Sequence, residues 1–211
     1  MIKRFGDFDT TKAFGDGFEQ LPRGGYVCKI IGARIEEVKG KQVIKVAFDI
    51  AEGEQAGFFD RDYKERAKDN ADAKWGIAGT YTLWVPLDDG SEKDSYTKRS
   101  FRTFTDALEA SNNGYHFDWD EQKFKGKMIG VVFNYASYKT QSGKVGMAPN
   151  PASIYSVDKI REGKYKVKDD EYKRATLAEV QAAHDGASSA GNGGGADFVN
   201  IPAGVVEELP F

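Results

Sequence analysis

The sequence predicts a mainly β domain followed by a flexible C-terminal tail, and three observations support this prediction. The 211-residue chain contains 24 glycines and is 13% aromatic, a composition typical of short strands joined by turns. Several segments alternate apolar and polar residues with the period of two found in half-buried strands. Residues 191–195 are almost all glycine, and we expect them to behave as a flexible coil.

The first two predicted strands form a hairpin. Residues 1–24 are expected to be an N-terminal arm that ends in a turn containing proline and glycine. Residues 26–38 are apolar and β-branched and predict strand one, and a turn at 39–41 returns the chain as strand two, residues 43–50. The residues that alternate on the expected core side of strand two are Ile44, Val46, Phe48 and Ile50.

A charged insertion separates strand two from strand three. Residues 52–79 are too irregular for a strand and are expected to be partly helical around 61–74. Residues 80–87 predict strand three, with Trp84 on the face opposite to Tyr81. We expect an outward Trp on a strand either to contact a ligand or to cover an apolar patch or a subunit interface.

A helix and two further strands complete the predicted domain. Phe101, Phe104 and Leu108 recur at helical spacing ahead of an Asn-Asn-Gly stop. Residues 128–135 predict strand four, and residues 153–157 predict strand five. Three strands, a helix and two strands are the element order of an OB-fold, a five-stranded Greek-key barrel with its helix between strands three and four.

The prediction divides the chain into four parts. The N-terminal arm precedes an OB-fold-like domain, residues 25–174, which contains the insertion. Residues 175–206 are expected to hold a short helix near 177–183 and the glycine-rich linker, and residues 207–211 form an acidic tip. Five of the 33 acidic residues follow Arg174 but none of the 30 basic residues does. The body therefore carries about two net positive charges, and the tail is acidic.

The chain ends in Glu207, Glu208, Leu209, Pro210 and Phe211. Such an acidic, apolar peptide is suited to a basic, hydrophobic pocket on another protein, although most chain ends are simply disordered. Residues 191–211 resemble the end of bacterial and phage single-stranded DNA-binding proteins. There, a glycine-rich linker leads to an acidic tip that closes on Pro-Phe and recruits replication and repair enzymes. This tip departs from that pattern because it has Glu rather than a run of Asp, and only two adjacent acids.

The body is similar to a group of phage-encoded proteins from replication and recombination gene cassettes. The resemblance rests on Gly25-Tyr26, on residues 49–54 and on residues 111–115. It implies a phage or prophage origin, and hence a location in the host cell cytoplasm.

Single-stranded DNA is held by a positive groove and by aromatic rings on which its bases stack. An OB-fold presents strands two and three and the adjoining loops to such a ligand, and basic and aromatic residues interleave in these segments. The predicted DNA-binding residues are Lys45, Phe58, Phe59, Tyr63, Lys64, Arg66, Lys68, Lys74, Trp75, Trp84, Tyr138, Lys139 and Lys144. Two alternatives stay open: Phe58 and Phe59 could anchor the insertion, and its charged run could be a solvated helix face.

Little in the sequence points to catalysis. His116 and His184 are the only histidines, neither lies at metal-ligand spacing from Cys28, and no phosphate-binding Gly-x-x-x-x-Gly-Lys loop occurs. We therefore expect no catalytic residue, metal or cofactor. A minor alternative is a metal-dependent nuclease, because a loose carboxylate-lysine cluster is formed by Asp118, Asp120, Glu121 and Lys123.

These features together predict a non-catalytic protein that coats single-stranded DNA and recruits a polymerase, helicase, primase or exonuclease through its tip. A single cysteine fits a reducing cytosol, and neither a signal peptide nor an apolar run of about 20 residues is present. Exposed strand edges would allow homo-oligomers. The main alternative is a protein–protein adaptor or structural phage component, in which the same barrel binds another protein.

Overall fold

The computed structural model describes residues 3, 4, 6, 20–140 and 142–189. Five strands form one antiparallel sheet in the order β3-β2-β1-β4-β5. The strands are β1 (Gly24–Val38), β2 (Lys41–Ile50), β3 (Thr80–Trp84), β4 (Met128–Lys139) and β5 (Val145–Tyr155). The helices are α1 (Phe58–Asp69), α2 (Glu92–Ser111), α3 (Val157–Arg161) and α4 (Leu177–Ser189), and short 3-10 turns cover Ile77–Gly79 and Glu121–Phe124. The prediction of a mainly β domain is confirmed.

The β1–β2 hairpin forms because its two-residue turn can adopt left-handed backbone angles. Lys39 and Gly40 have φ angles of 51° and 71°, the pattern of a turn whose twist matches that of the flanking strands. The turn fixes the register, which places Ile35 opposite Ile44. The predicted core face of β2 is confirmed, since its four alternating apolar residues are at most 5% exposed.

The main core lies between the inner face of the sheet and α2. Ser91 caps the start of α2 by accepting a hydrogen bond from the Asp94 backbone N–H. The predicted helical stripe of Phe101, Phe104 and Leu108 is buried in this core. At the other end of α2, the Asn112 side chain bonds both the backbone N–H and the carbonyl of Met128. This contact sets where β4 begins relative to the helix.

Several strand boundaries differ from the prediction, and the largest differences are at the end of β3, at the end of β4, which continues to Lys139 rather than residue 135, and at the start of β5. The chain leaves β3 at Trp84, earlier than expected, because the Leu87 N–H is bonded by the Asp94 carboxylate at 2.7 Å. The fifth strand begins at Val145 rather than at residue 153. The sequence does not indicate the first half of this strand, because Pro149 and Pro151 are typical of loops. The structure accommodates both prolines because β5 is an edge strand.

The C-terminal part of the described chain packs along β4 and β5, where Glu171 forms an isolated parallel bridge with Ala136 of β4. Ser137 donates its backbone N–H to the Glu171 carbonyl, and its hydroxyl bonds Ala175. Farther along, Ala175 and Val180 are buried against Met147. The segment up to α4 therefore packs as part of the domain.

The outer face of β4 and of the first half of β1 is covered by α3, whose Val157 and Ile160 pack against Val27 and Val132. The face left for a ligand is the outer face of β2, β3 and the second half of β1. None of the helices in the described ranges is long and apolar enough to cross a membrane.

Candidate nucleic-acid interface

The outer face of β1, β2 and β3 carries three cross-strand rows of side chains. Residues directly opposite one another in neighbouring strands point to the same face, so the strand register defines each row. The rows are Glu36–Val43–Trp84, Arg34–Lys45–Thr82 and Gly32–Ala47–Thr80. We call this surface the outer sheet face. Thr80 to Trp84 spans roughly 13 Å along the strand.

Trp84 forms one end of the outer sheet face. Its neighbours Tyr81 and Leu83 pair with the inward-facing Val46 and Ile44, so alternation along β3 turns Trp84 outward. Its side chain is 36% exposed, whereas Val43, which lies between Trp84 and Glu36, is fully buried. The Trp84 side chain therefore packs beside Val43, while part of its indole ring stays exposed to solvent.

Lys45 occupies the centre of the middle row. Its ammonium donates a hydrogen bond to the Thr82 hydroxyl at 2.9 Å, which holds the side chain across the strands. Burial lowers the pKa of Lys45 below its usual 10.5, while Glu36 opposes this shift and Arg34 adds to it. The position of the positive charge is thus defined by the sheet itself.

The third row is made of small residues. Gly32, Ala47 and Thr80 project little from the sheet, and a Cβ added at Gly32 would meet no atom within 4 Å. A shallow, open strip therefore lies beside the row that contains Lys45. Such a strip would let a chain of nucleotides approach the backbone closely.

The charges of the outer sheet face are mainly positive. Lys29, Arg34 and Lys45 contribute cations, against the carboxylates of Glu36 and Asp49. Asp49 is engaged elsewhere, because its Oδ1 accepts the backbone N–H groups of Ile50 and Phe59. Arg34 forms a 2.6 Å ion pair with Glu36, which exposed side chains can exchange for phosphate at little cost.

The aromatic residues predicted in the insertion are mostly structural. Phe59 is 3% exposed and contacts Phe48 and Phe133 in the core, and Phe58 packs beside it. These two residues anchor α1, which is the alternative that the sequence left open. A base cannot stack on Phe59 in this conformation.

Tyr63 and Trp75 form a separate ring pair on the outside of the insertion. Their ring centroids are 5.8 Å apart, and both side chains are half-buried. The Trp75 indole N–H donates to the Gly79 carbonyl at 3.0 Å. Trp75 therefore fixes the turn that leads into β3.

Three of the four cations of α1 are paired along the helix, whereas Arg61 donates to the Ala56 carbonyl. Lys64 bonds Asp60, Arg66 bonds Asp62 and Lys68 bonds Glu65, at distances between 2.6 and 2.9 Å. This pattern is that of a solvated helix face. Arg66 differs because it also donates to the Lys74 carbonyl and lies beside Gly76, close to the start of β3.

The predicted residues of the β4–β5 loop lie in the other half of the sheet. Tyr138 is 5% exposed, and its phenol lies close to Gly146. Lys139 forms a 2.9 Å ion pair with Glu179 of α4. Lys144 is exposed at the loop. In the sheet order, β4 and β5 lie on the far side of β1 from the strands that carry Lys45 and Trp84.

Two exposed residues were missed by the sequence-based selection. Arg34 lies on the outer sheet face beside Lys45, and its place follows from the hairpin register. Trp119 is 79% exposed, has a φ angle of 68°, and stacks on Phe101 with ring centroids 6.0 Å apart. In the sequence, Trp119 lies between Asp118 and Asp120, outside any predicted strand or helix, so no periodic pattern indicated that it would be exposed.

In the carboxylate cluster considered for a nuclease, Lys123 forms ion pairs with two of the carboxylates. Lys123 bonds Asp118 and lies 3.7 Å from Asp120. The hydrogen bond from Lys123 lowers the pKa of Asp118. Within the described ranges, no group of three or more His, Cys, Asp or Glu side chains is arranged to hold a metal ion.

The chain matches no protein-family model, and no curated protein matches it either.

Proposed function

We propose that the protein binds single-stranded DNA, without catalysis, on the outer sheet face. The observation that carries the proposal is the placement of a half-open Trp84 beside Lys45 and Arg34 along one shallow strip. A positive track with stacking rings is what a single strand requires, because every base has a π-face and every nucleotide a phosphate. Lys45 and Arg34 would contact phosphates, and a base would stack on Trp84.

The sheet order supports the OB-fold part of the proposal. An OB barrel opened between strands three and five gives the order β3-β2-β1-β4-β5, with a helix between strands three and four, and this chain has that order. The turn Ile77–Gly79, which leads into β3, packs against β5. The two outer strands therefore approach each other, as a partly open barrel requires.

The acidic tip supplies the second half of the proposal. Residues 207–211 lie outside the described residues, so their role rests on the sequence and on the resemblance stated above. We propose that the tip docks a replication or recombination enzyme while the outer sheet face holds DNA. A phage setting and a cytoplasmic location belong to the same proposal.

Fluorescence anisotropy of a labelled oligo-dT strand tests the DNA half. We expect Trp84→Ala to weaken binding about 5- to 150-fold, because one base–aromatic stack contributes roughly 1–3 kcal/mol. Lys45→Met, which keeps the aliphatic stem, should lower the slope of log affinity against log salt by about one. Tyr96→Ala is the matched control, since Tyr96 is 66% exposed but lies on α2.

Three outcomes would contradict the proposal or the role of Trp84 in it. Absence of binding to oligo-dT at low salt would exclude it, as would equal losses in Trp84→Ala and Tyr96→Ala. Binding to a duplex as tight as to the single strand would contradict the stacking role of Trp84.

A protein–protein adaptor is the second candidate function, and exposed Trp119 favours it. A large aromatic ring 79% open to solvent is a common anchor at protein interfaces. An interface of this kind would be weakly sensitive to salt, whereas DNA binding through several phosphates should weaken steeply. A pull-down in which Trp119→Ala loses a partner and Trp84→Ala keeps it would support the adaptor.

A further inference from the structure

Three lysines form a stripe along the segment that follows α3. Lys164, Lys166 and Lys168 are exposed, whereas Tyr165 and Val167 between them are half-buried. Tyr165 and Val167 pack on the apolar cluster that α3 shares with the outer face of β1 and β4. Alternation of this kind is typical of an extended chain, so the three ammonium groups lie on the side of the segment that faces solvent. We call these three residues the lysine stripe.

The start of the lysine stripe is fixed by the way α3 ends. Gly163 has a φ angle of 67°, a left-handed conformation that glycine adopts without strain. Its N–H donates to the Ile160 carbonyl at 3.0 Å, and the Lys164 N–H donates to the Lys159 carbonyl at 2.8 Å. These two hydrogen bonds form a Schellman motif, which ends the helix and sets the direction in which the chain leaves it.

Tyr165 fixes the middle of the segment against the sheet. Its ring lies over Gly25 of β1, where an added Cβ would be 2.7 Å from two ring atoms. The ring also packs edge-on against Tyr155 of β5, with ring centroids 6.5 Å apart. The absence of a side chain at Gly25 therefore allows the backbone that carries the lysines to lie close to the sheet.

The far end of the segment is bonded to β4. The Asp169 carbonyl accepts a hydrogen bond from the Asn134 side-chain amide at 2.7 Å, and the Asp170 carboxylate accepts the Tyr135 N–H at 3.1 Å. The segment is thus held at both ends and in the middle. Because its backbone is already ordered, a ligand that binds the lysines does not have to order the chain.

The lysine stripe lies in a strongly positive stretch of the chain. Residues 159–168 contain five cations and one acid, Glu162. Lys164 pairs with Glu162 at 2.8 Å, but the two side chains are 71% and 52% exposed, so the pair can be exchanged for a phosphate contact at little cost. The Lys168 ammonium donates to the Ala152 carbonyl at 2.9 Å. This bond uses one of its three N–H donors and leaves two for a ligand.

We propose that the lysine stripe binds successive phosphates of a nucleic-acid strand. In an extended chain, residues two positions apart are separated by about 6.6 Å, which is close to the repeat of the phosphates along a stretched single strand. Ammonium groups bind phosphates as point charges. Since Tyr165 is turned toward the sheet, the stripe presents charge without a stacking ring, and its contacts should be independent of base sequence.

The lysine stripe and the outer sheet face lie on the same side of the sheet. β1 runs from Val27, which α3 covers, past Lys29 to Arg34 on the outer sheet face, a path of roughly 23 Å. A strand that stacks on Trp84 and contacts Arg34 would reach the stripe by continuing past Lys29. This extension rests on the proposed function. It predicts that a long strand uses the stripe, whereas a short strand is held by the outer sheet face alone.

Anisotropy titrations with oligo-dT of about six and about 16 nucleotides, both within the range of OB-fold site sizes, test the inference. For the triple variant Lys164→Gln/Lys166→Gln/Lys168→Gln, we expect affinity for the long strand to fall about tenfold or more at low salt. The slope of log affinity against log salt should fall by about two, because each phosphate contact on a single strand contributes about 0.7. Binding to the short strand should match the wild type. Trp84→Ala, by contrast, should weaken binding to both strands and leave the slope unchanged.

The matched control replaces three other exposed cations by Gln: Lys93, Arg102 and Lys125. This variant changes the net charge by the same amount, but its substitutions lie on α2 and after the Glu121–Phe124 turn, which pack on the inner face of the sheet. Its binding to both strands should equal that of the wild type. Thermal melting monitors folding, which should change little in either triple variant because all six side chains are exposed.

The possible results separate this inference from the proposed function. Unchanged affinity and slope for the long strand in the lysine variant would overturn the inference and leave the proposed function intact. Equal losses in the control variant would also overturn it, because net charge alone would then explain them. If the lysine variant loses binding and Trp84→Ala keeps it, the role of the stripe is supported and the proposed function fails. A wild-type protein that binds neither strand would overturn both.

Discussion

Asp49 shows how one side chain joins two parts of the fold. It lies near the end of β2, and its Oδ1 accepts the Ile50 N–H at 2.8 Å and the Phe59 N–H at 2.9 Å. Phe59 is in the first turn of α1, whose backbone N–H groups lack partners within the helix. A carboxylate at this position also interacts favourably with the positive end of the helix dipole. The residue therefore orients the insertion on this end of the sheet.

We expect Asp49→Ala to lower the free energy of unfolding by about 2 kcal/mol, because it leaves the buried Phe59 N–H without its charged acceptor. Urea denaturation measures this loss. Asp49→Asn is the matched control: it keeps an oxygen at the same place and should lose less than the alanine variant. Equal stability of wild type and Asp49→Ala would refute this role.

At the scale of the element, α4 is fixed by a reciprocal cap. The Glu179 N–H donates to the Thr176 hydroxyl, and the Glu179 carboxylate accepts the Thr176 N–H at 2.8 Å. The same carboxylate accepts from the Lys139 ammonium at 2.9 Å, which ties the helix to the end of β4. The Thr-x-x-Glu spacing of this capping box is visible in the sequence, whereas its lysine partner is not.

This cap predicts how stability depends on pH. The hydrogen bond from Lys139, followed by those from Thr176, lowers the pKa of Glu179 from 4.5 to about 2. A depressed carboxyl pKa contributes stability that is complete above the unfolded value of 4.5 and is lost as pH falls through about 2. Wild type should therefore melt at a higher temperature than Glu179→Gln above pH 5, and the difference should shrink between pH 4.5 and pH 2. A difference that stays constant over this range would contradict the prediction.

At the scale of the whole molecule, the body and the tail carry opposite charges. The body is mildly basic, whereas Asp197, Glu207 and Glu208 give the tail acidic charges with no lysine or arginine to offset them. Under the proposed function, we expect such a tail to compete with DNA for the cations of the outer sheet face at low salt. Competition of this kind is screened as the Debye length shortens.

Deleting residues 190–211, which begins just after α4, should therefore tighten binding to oligo-dT at low salt. We expect roughly a fivefold gain, at the low end of coupling between two sites, that disappears at high salt. Anisotropy titrations of both proteins at two salt concentrations measure it. Equal or weaker binding by the shortened protein at low salt would exclude competition by the tail.

Local patterns were sufficient for much of the fold. The hairpin and the core faces of β2 and α2 follow from alternation, helical spacing and turn residues. The outward direction of Trp84 follows in the same way, because successive residues of a strand point to opposite faces. The boundary of β5 was missed, because two prolines within a strand mimic a loop and only its place at the sheet edge accommodates them.

The sequence by itself determined the order of the five strands, the place of α2 between β3 and β4, the acidic tail and the alternation that turns Lys45 and Trp84 outward. It missed α3, whose first residue was predicted as the end of strand five. The tertiary structure decided which candidates share a surface: it buried Phe59 and Tyr138, paired Lys139 with α4, and added Arg34 beside Lys45. The physical reason is that alternation fixes the face of a residue within its own strand. Which element covers that face, and which strand lies beside it, depends on contacts between residues far apart in the chain.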